Sequence, residues 1–238
     1  NWHSIQIKSL TGPYPQKIAI VGAGPAGLTC AYYLANLGYA PTVFEKNEEP
    51  GGMMVYGIPS YKLEKDVVEA EIDILREMGV EIRCGVTVGA DVTLDQLRDE
   101  GYQGFYLAIG CQGGRLAGVE GEDGEGVSTA VDFLRCALDN PDHKVSGATV
   151  VVGGGNCGSN KVTMVCLEQR NEMPALPGEI AEAEEDGIEV VNGWGPAKVE
   201  LTKTGKVKGI TFKKCTRVYD DEGRFSPTYD ENETMTIA

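Results

Sequence analysis

The stretch Lys17–Gly27, KIAIVGAGPAG, decides how the start of this chain folds. Its first five residues are mostly apolar and rich in β-branched side chains, which is typical of a buried strand in a parallel sheet. Glycines follow at once, and good helix formers then run to a stop at Gly38. The sequence therefore predicts a strand at Lys17–Val21, a glycine-rich turn and a helix at Pro25–Leu37.

The turn has the spacing GxGxxG and indicates an anion site. Gly22 permits a tight turn, Gly24 lets a diphosphate approach the backbone, and Gly27 lets the helix pack closely on the strand. The start of the helix offers unpaired N–H groups to the phosphates. A second strand is predicted at Pro41–Glu45, and a carboxylate at its tip suits a ribose hydroxyl pair. The pattern predicts a dinucleotide site formed by Gly22, Gly24, Pro25, Ala26, Gly27 and Glu45.

A longer motif after the second strand indicates which dinucleotide binds. Residues 45–63 read EKNEEPGGMMVYGIPSYKL, an acidic strand end followed by a glycine pair, then YGIP and a basic helix start. This pattern resembles the flavin domain of the glutamate synthase small-subunit family, which includes ferredoxin-linked NADPH oxidoreductases. The resemblance implies FAD as the cofactor. It also implies that FAD contacts Lys46, Gly51, Gly52, Met53, Tyr56, Gly57, Ile58, Val86, Ala108, Ile109 and Gly110.

In the rest of the chain, segments with the apolar spacing of a helix alternate with segments whose pattern is typical of strands. Helices are predicted at 62–78, 93–99, 129–138 and 178–185, and strands at 80–83, 104–108, 148–152 and 162–166, before a β-rich end from 188 onward. The glycine- and acid-rich stretch 110–126 is the predicted interdomain connection. The fold class is therefore α/β. We expect a Rossmann-like FAD-binding domain in 1–126 and a second, incomplete Rossmann-like NAD(P)-binding domain in 127–238.

A second glycine run follows the predicted strand ATVVV, at Gly153, Gly154, Gly155 and Asn156. It resembles the NAD(P)H motif of the same family. Only Cys157–Asn160 separate this run from the start of the next apolar segment, whereas a parallel crossover needs a dozen or more residues, usually a helix. Either the crossover helix is deleted, or a stretch of the protein is missing from the sequence. The close resemblance of both flanks favours the second explanation.

Two charged residues bear on which nicotinamide dinucleotide this second site takes. Glu168 is suited to accept from ribose hydroxyls and favours NAD, while Arg170 is suited to a 2′-phosphate and favours NADP. The sequence leaves the choice open.

Composition excludes several classes of function. The net charge is −15, from 21 basic against 36 acidic residues, which disfavours binding to nucleic acid or to an anionic membrane. No apolar stretch approaches the roughly 18 residues of a membrane-spanning helix, so we expect a cytoplasmic protein. The seven cysteines show no CxxC spacing, and neither histidine lies in a motif. No metal site and no redox dithiol are therefore predicted.

The resemblance implies an electron-transfer flavoenzyme. NAD(P)H reduces FAD, and electrons then leave for an iron–sulfur partner or the glutamate synthase large subunit, so the flavin supplies the chemistry and no side chain is assigned as a catalytic acid or base. In the family the FAD domain is completed by a later segment, so we expect this chain to be the front of a longer polypeptide. The main alternative is a non-catalytic FAD-binding subunit of a larger redox complex, and a simple flavin oxidase is a third possibility.

Overall fold

A computed structural model describes residues 14–140, 145, 147–153 and 162–238. The chain divides into two compact units. The first takes in Asn1–Gly114 and Ala130–Pro141, and the second takes in Arg115–Thr129 and Asp142–Ala238.

The first unit is a parallel sheet with helices between its strands. The sheet has four strands in the order β3-β2-β1-β4, and all three pairings are parallel. Its elements are β1 (Lys17–Val21), α1 (Pro25–Asn36), β2 (Ala40–Phe44), α2 (Met53–Tyr56), α3 (Lys65–Glu77), β3 (Glu81–Arg83), α4 (Leu94–Asp99), β4 (Tyr102–Leu107) and α5 (Ala130–Asp139).

Both faces of this sheet are covered by apolar side chains. Successive residues of a strand point to opposite faces, so Ile20 lies in one core cluster and Ala19 in the other. The first cluster joins the sheet to α1 and α3 through residues such as Leu28 and Ile72. The second includes Leu97 of α4. The continuous apolar run of β1 is explained by this two-sided burial.

The order of predicted elements in this unit is confirmed, with two differences. The predicted helix at 62–78 begins at Lys65, because the N–H groups of Lys62 and Leu63 form a turn by donating to the Pro59 carbonyl. The short helix α2 was not predicted, since four residues are too few to show a period. The N-cap of α4 is Thr93, which forms a reciprocal capping box with Gln96.

The second unit combines a parallel and an antiparallel sheet. The parallel sheet has the order β5-β6-β7 and the antiparallel sheet the order β10-β9-β8. Val165 and Phe212, one from each sheet, are fully buried in one shared core cluster. The elements are β5 (Thr149–Val152), β6 (Val162–Cys166), α6 (Pro177–Glu185), β7 (Glu189–Asn192), β8 (Trp194–Leu201), β9 (Val207–Tyr219) and β10 (Phe225–Ile237).

The boundary between the units differs from the single boundary expected after residue 126. The chain leaves the first unit at Gly114, inside the predicted connection, and returns to it with α5. There α5 contacts α2, and the guanidinium of Arg135 lies 4.4 Å from the centre of the Tyr56 ring. A helical period shows that α5 has an apolar face but not which unit that face packs against.

The connection between β5 and β6 bears on the missing crossover helix. The two strands pair in parallel, with Thr149 beside Val162, and residues 153–161 join them. Nine extended residues reach about 30 Å, whereas returning along three residue steps of a strand needs about 10 Å. Chain length alone therefore permits the parallel pairing, although nine residues are fewer than the dozen or more that are usual for a parallel crossover. Residues 154–161 lie outside the described part of the chain, so either explanation for the short connection stays a hypothesis.

Candidate dinucleotide site

The first glycine turn is closed by backbone that leaves no room for side chains. Gly22 has φ 106°, and a Cβ at this position would lie 2.3 Å from the Ala108 carbonyl oxygen. A Cβ at Gly27 would lie 1.9 Å from the Gly22 carbonyl oxygen. Both residues are therefore glycine for packing reasons, as the motif predicts.

The middle glycine has the opposite surroundings. Gly24 is the N-cap of α1 with φ −75°, Pro25 follows at the first helical position, and no heavy atom lies within 4 Å of where a Cβ would be. The first N–H groups of a helix have no intrahelical acceptor. The start of α1 therefore offers hydrogen-bond donors and a partial positive charge beside open space.

Glu45 lies at the end of β2 with its side chain pointing to this turn. It is 5% exposed, and its Oε2 accepts from the Ala23 N–H at 2.7 Å. Its Oε1 accepts from the backbone N–H and the Nδ2 of Asn47, at 2.9 and 2.7 Å. A carboxylate has about four lone-pair sites, so one site on Oε2 remains for a ribose hydroxyl. The sequence did not identify Asn47, although an amide two residues beyond an acidic strand end is a usable signal.

The Gly51–Gly52 pair packs directly against the turn. The Gly51 N–H donates to the Ala23 carbonyl at 2.8 Å, and a Cβ at Gly52 would lie 2.8 Å from Gly24 Cα. Both glycines have positive φ, 125° and 57°. Glycine at these positions lets the following segment, which begins with α2 at Met53, start beside the helix terminus.

Three side chains hold α2 and the two residues that follow it. The Tyr56 hydroxyl accepts from the Glu49 N–H at 2.9 Å, and Arg135 covers the Tyr56 ring. Lys65 donates to the carbonyls of Met54, at 2.7 Å, and Ile58. Gly57 is buried and Ile58 exposed. Sequence reasoning missed Lys65 and Arg135, because their targets are distant in the chain and no periodic pattern marks such contacts.

The remaining predicted residues of the first site lie at the same edge of the sheet. The Val86 N–H donates to the Glu45 carbonyl at 2.9 Å, and the Ala108 N–H donates to the Val21 carbonyl at 2.8 Å. Lys46 is exposed, Ile109 is 72% exposed, and Gly110 has φ 71°. The fold thus brings the predicted FAD residues together at the carboxyl edge of β1, β2 and β4, where ligands of such sheets bind. That they contact FAD stays a prediction.

The second glycine turn repeats one contact of the first. The Gly153 N–H donates to the Val165 carbonyl at 2.8 Å, as the Gly22 N–H donates to the Phe44 carbonyl at 2.7 Å. By this equivalence Cys166 occupies the place that Glu45 occupies in the first unit. The Cys166 thiol accepts from Asn192 Nδ2 at 3.2 Å, and burial raises its pKa. The sequence pattern does not mark Cys166, because a neutral residue stands where the first unit has a carboxylate. Gly154, Gly155 and Asn156 lie outside the described residues.

The two charged residues assigned to the nicotinamide dinucleotide lie just beyond β6. The Glu168 carbonyl accepts from Asn192 Nδ2 at 3.1 Å and from the Gly193 N–H at 3.2 Å. Arg170 forms a bidentate ion pair with Glu184, with distances of 2.5 and 2.7 Å. Because this pair is exposed, it contributes little to stability and a phosphate can compete for the guanidinium.

A cavity of about 240 Å³ lies next to the end of β6. Its wall combines apolar, amide and charged groups, among them Leu167, Gln169, Glu172, Cys215, Arg217 and Tyr219. It opens beside the residues that follow the strand, which is where the adenosine end of a dinucleotide lies in Rossmann folds.

A parallel sheet, a glycine turn and an open helix start define a dinucleotide-binding α/β protein. The family model of the pyridine nucleotide-disulphide oxidoreductases matches residues 16–220. This chain belongs to that family. Membership confirms the predicted α/β fold class and the expectation that the chain belongs to a family of pyridine-nucleotide oxidoreductases.

Relatives of known function cover most of the chain. It is 37% identical over 230 residues to the NADP(+)-dependent formate dehydrogenase subunit beta of Moorella thermoacetica, covering 89% of this chain and 32% of that protein. It is 35% identical over 217 residues to the glutamate synthase [NADPH] small chain of Escherichia coli K12, covering 82% of this chain and 46% of that protein. The chain thus spans about a third to a half of the length of these relatives.

Solved structures show the same fold. Mycobacterium tuberculosis FprA in complex with NADPH matches with a TM-score of 0.80 at 18% identity, covering 94% of this chain and 69% of that one. At this identity the likeness supports the fold alone.

Within the described residues, no helix has the length and apolar character needed to cross a membrane.

Proposed function

We propose that the first unit binds FAD and that electrons pass from NAD(P)H through this FAD to iron–sulfur centres of a partner. The observation that carries the proposal is the open start of α1 at Gly24. The buried carboxylate of Glu45 and the Gly51–Gly52 pair both lie against the glycine turn of this helix. These features fit the diphosphate, ribose and flavin ends of one extended molecule.

Each residue group has a separate task in this proposal. The N–H groups at the start of α1 hold the diphosphate, and the free lone pair of Glu45 Oε2 accepts from the ribose. The segment from Met53 to Ile58 borders the flavin ring and excludes water from one side of it. A bound FAD would supply the hydride and single-electron chemistry, and these residues would supply its orientation and electrostatic surroundings.

The second unit is proposed to bind NAD(P)H at the carboxyl edge of β5 and β6. The Gly153 turn, the cavity beside β6, and the charged pair Glu168 and Arg170 support this placement. Gly154, Gly155 and Asn156 are proposed to complete the diphosphate site.

The partner and the compartment are also proposals. The relatives bear the names "subunit beta" and "small chain", which describe parts of larger assemblies. We therefore propose an iron–sulfur electron-transfer partner or a glutamate synthase large subunit for this chain. We place the reaction in the cytoplasm, because thiols outside disulfides fit a reducing compartment, and no disulfide joins Cys30, Cys84, Cys111, Cys166 or Cys215.

The test uses two substitutions at Gly24. Because the space beside this residue is open and its φ is ordinary, both Gly24→Ala and Gly24→Asp are compatible with the fold. Asp is a favourable N-cap, so it does not weaken α1, but its charge lies in the path of the diphosphate. We expect FAD titrated by fluorescence to bind more weakly to both variants, because a side chain at position 24 occupies the space through which the diphosphate approaches the backbone. The loss is expected to be larger for Gly24→Asp, at least about tenfold, because this variant also adds a negative charge. Equal binding to all three proteins contradicts the proposal.

Anaerobic mixing with NADH or NADPH tests the electron donor. Bleaching of the flavin absorbance by either donor supports the enzyme, and the faster donor identifies the preferred dinucleotide.

One observation favours the alternative of a non-catalytic FAD subunit: only residues 153–161 separate β5 from β6. A protein that binds FAD stoichiometrically and is bleached by neither donor selects that alternative.

A further inference from the structure

Lys65 connects two parts of the first unit that are separate in sequence. It is the first residue of α3, and its half-buried side chain reaches back to the segment Met53–Ile58. There Nζ donates to the carbonyls of Met54 and Ile58. The Ile58 N–H donates instead to the Met53 carbonyl at 2.9 Å, so the Met54 carbonyl is left to Lys65.

This position is a poor one for a lysine if α3 alone is considered. A cation at the N-terminus of a helix meets the positive end of the helix dipole and is destabilising there. The carbonyls at the end of α2, by contrast, have no further helical donors and carry partial negative charge. The location of Lys65 is therefore explained by the hydrogen bonds that it donates to the carbonyls of Met54 and Ile58, in and just after α2.

The ammonium group keeps its charge uncompensated. Among the described residues its hydrogen-bond partners are carbonyls, and no carboxylate lies within ion-pair distance of Nζ. Burial lowers the pKa of Lys65, which agrees with a partly desolvated cation held by neutral acceptors.

We propose that Lys65 is a positioning residue for the flavin, which clamps the Met53–Ile58 segment and supplies a positive charge at that edge of the site. The inference rests on the proposed function, because this segment is the one assigned to the flavin ring. A fixed positive charge beside a flavin favours electron uptake by it. Lys65 thus acts through the segment and its charge, without taking part in proton transfer.

The test compares Lys65→Met, which removes the charge and both hydrogen bonds, with Lys65→Arg, which retains a cation and donors. Lys17→Met is the matched control, because Lys17 Nζ also donates to a backbone carbonyl, that of Glu100, at 3.1 Å. Lys17 lies at the amino end of β1, opposite the edge that carries the site.

Two measurements are made on each variant. The first is amide hydrogen exchange of Tyr56, Gly57 and Ile58 in protein without FAD. The Tyr56 N–H donates to the Gly52 carbonyl, and the Gly57 and Ile58 N–H groups donate to the Met53 carbonyl. The second is FAD affinity and the flavin midpoint potential. For Lys65→Met we expect exchange about tenfold faster and FAD binding about tenfold weaker. We also expect a midpoint potential about 30 mV lower, a tenfold change in a two-electron equilibrium. Lys65→Arg restores most of each value, and Lys17→Met matches the parent protein.

The possible outcomes separate this inference from the proposed function. If the parent protein binds FAD, Gly24→Asp weakens that binding and Lys65→Met changes neither exchange nor potential, then the role of Lys65 is wrong while the function stands. If either Lys65→Arg or Lys17→Met changes amide exchange, FAD affinity and midpoint potential as much as Lys65→Met does, a specific positioning role is rejected. If the parent protein takes up no flavin, both the proposed function and the flavin role of Lys65 are rejected, whatever the exchange data show.

Discussion

At the level of single residues, Glu45 shows how a binding residue can also be a structural one. The strand–glycine–helix pattern assigns it to a ribose, yet in the folded chain its carboxylate accepts from Ala23 and twice from Asn47. Hydrogen bonds to a buried charged group are among the stronger ones. Glu45 therefore holds the glycine turn in shape before any ligand arrives.

This double role predicts a loss of stability without ligand. Glu45→Ala leaves the buried Ala23 N–H without its acceptor and is expected to lower the free energy of unfolding by about 3 kcal/mol. Urea unfolding followed by circular dichroism measures it. The control is Glu48→Ala, which removes an exposed carboxylate and is expected to change stability by less than about 0.5 kcal/mol. Equal stability of Glu45→Ala and the parent protein contradicts the structural role.

Sequence reasoning succeeds at residues whose role is local and fails where partners are distant. The roles of Gly22 and Gly27 follow from the motif, because a turn between strand and helix has few backbone solutions. Lys65 and Arg135 act on a segment elsewhere in the chain. Cys166 is apparent as the counterpart of Glu45 only once the register of both sheets is known.

At the level of elements, the strands and long helices were predictable and the short helix was not. The strands β1, β5 and β6 are apolar runs bounded by glycine or charge, which is a strong signal. The four residues of α2 show no period. A glycine pair precedes the helix, and Lys65 donates to its Met54 carbonyl from a later part of the chain. Tertiary contacts, which a local pattern does not contain, decide such an element.

The capping box of α4 gives a prediction at this scale. The Thr93 hydroxyl accepts from the Gln96 N–H at 3.1 Å, and the Gln96 side chain accepts from the Thr93 N–H at 2.8 Å. Thr93→Ala is expected to cost about 1 kcal/mol of stability, while Thr93→Ser retains the hydroxyl and stays within about 0.5 kcal/mol. Thermal unfolding of both variants checks this. An alanine variant as stable as the serine variant shows that the cap is unimportant in this unit.

At the level of the whole molecule, the chain is two compact units, and the class of both was visible in the sequence. What the sequence did not contain was the assignment of α5 to the first unit, because its exposed and half-buried residues fit a helix in either place. The nicotinamide preference also stays open, since Arg170 is held by Glu184 and Glu168 contributes its carbonyl to local contacts.

Because the chain folds into two compact units, we expect a ligand bound to one unit to slow amide exchange in that unit alone. A ligand that binds only the native state slows the opening of the elements that hold it. Adding FAD is therefore expected to slow amide exchange at least about fivefold in residues 22–27, 45–58 and 108–110. The hairpin of β9 and β10 is expected to exchange unchanged. Hydrogen-exchange mass spectrometry with and without FAD measures both regions, and equal protection of the hairpin contradicts a site confined to the first unit.

Substitutions at Gly22 and at Gly24 report on different properties, because Gly22 lies in tight contact with the Ala108 carbonyl and Gly24 does not. A methyl group at position 22 has nowhere to go, so a substitution there reports on whether the backbone can close, and a lost flavin says nothing about recognition. A Cβ at position 24 has no protein atom of another part of the chain within 4 Å, so a lost flavin there reports on the ligand itself. Mutational surveys that treat the glycines of such motifs as interchangeable therefore mix folding defects with binding defects.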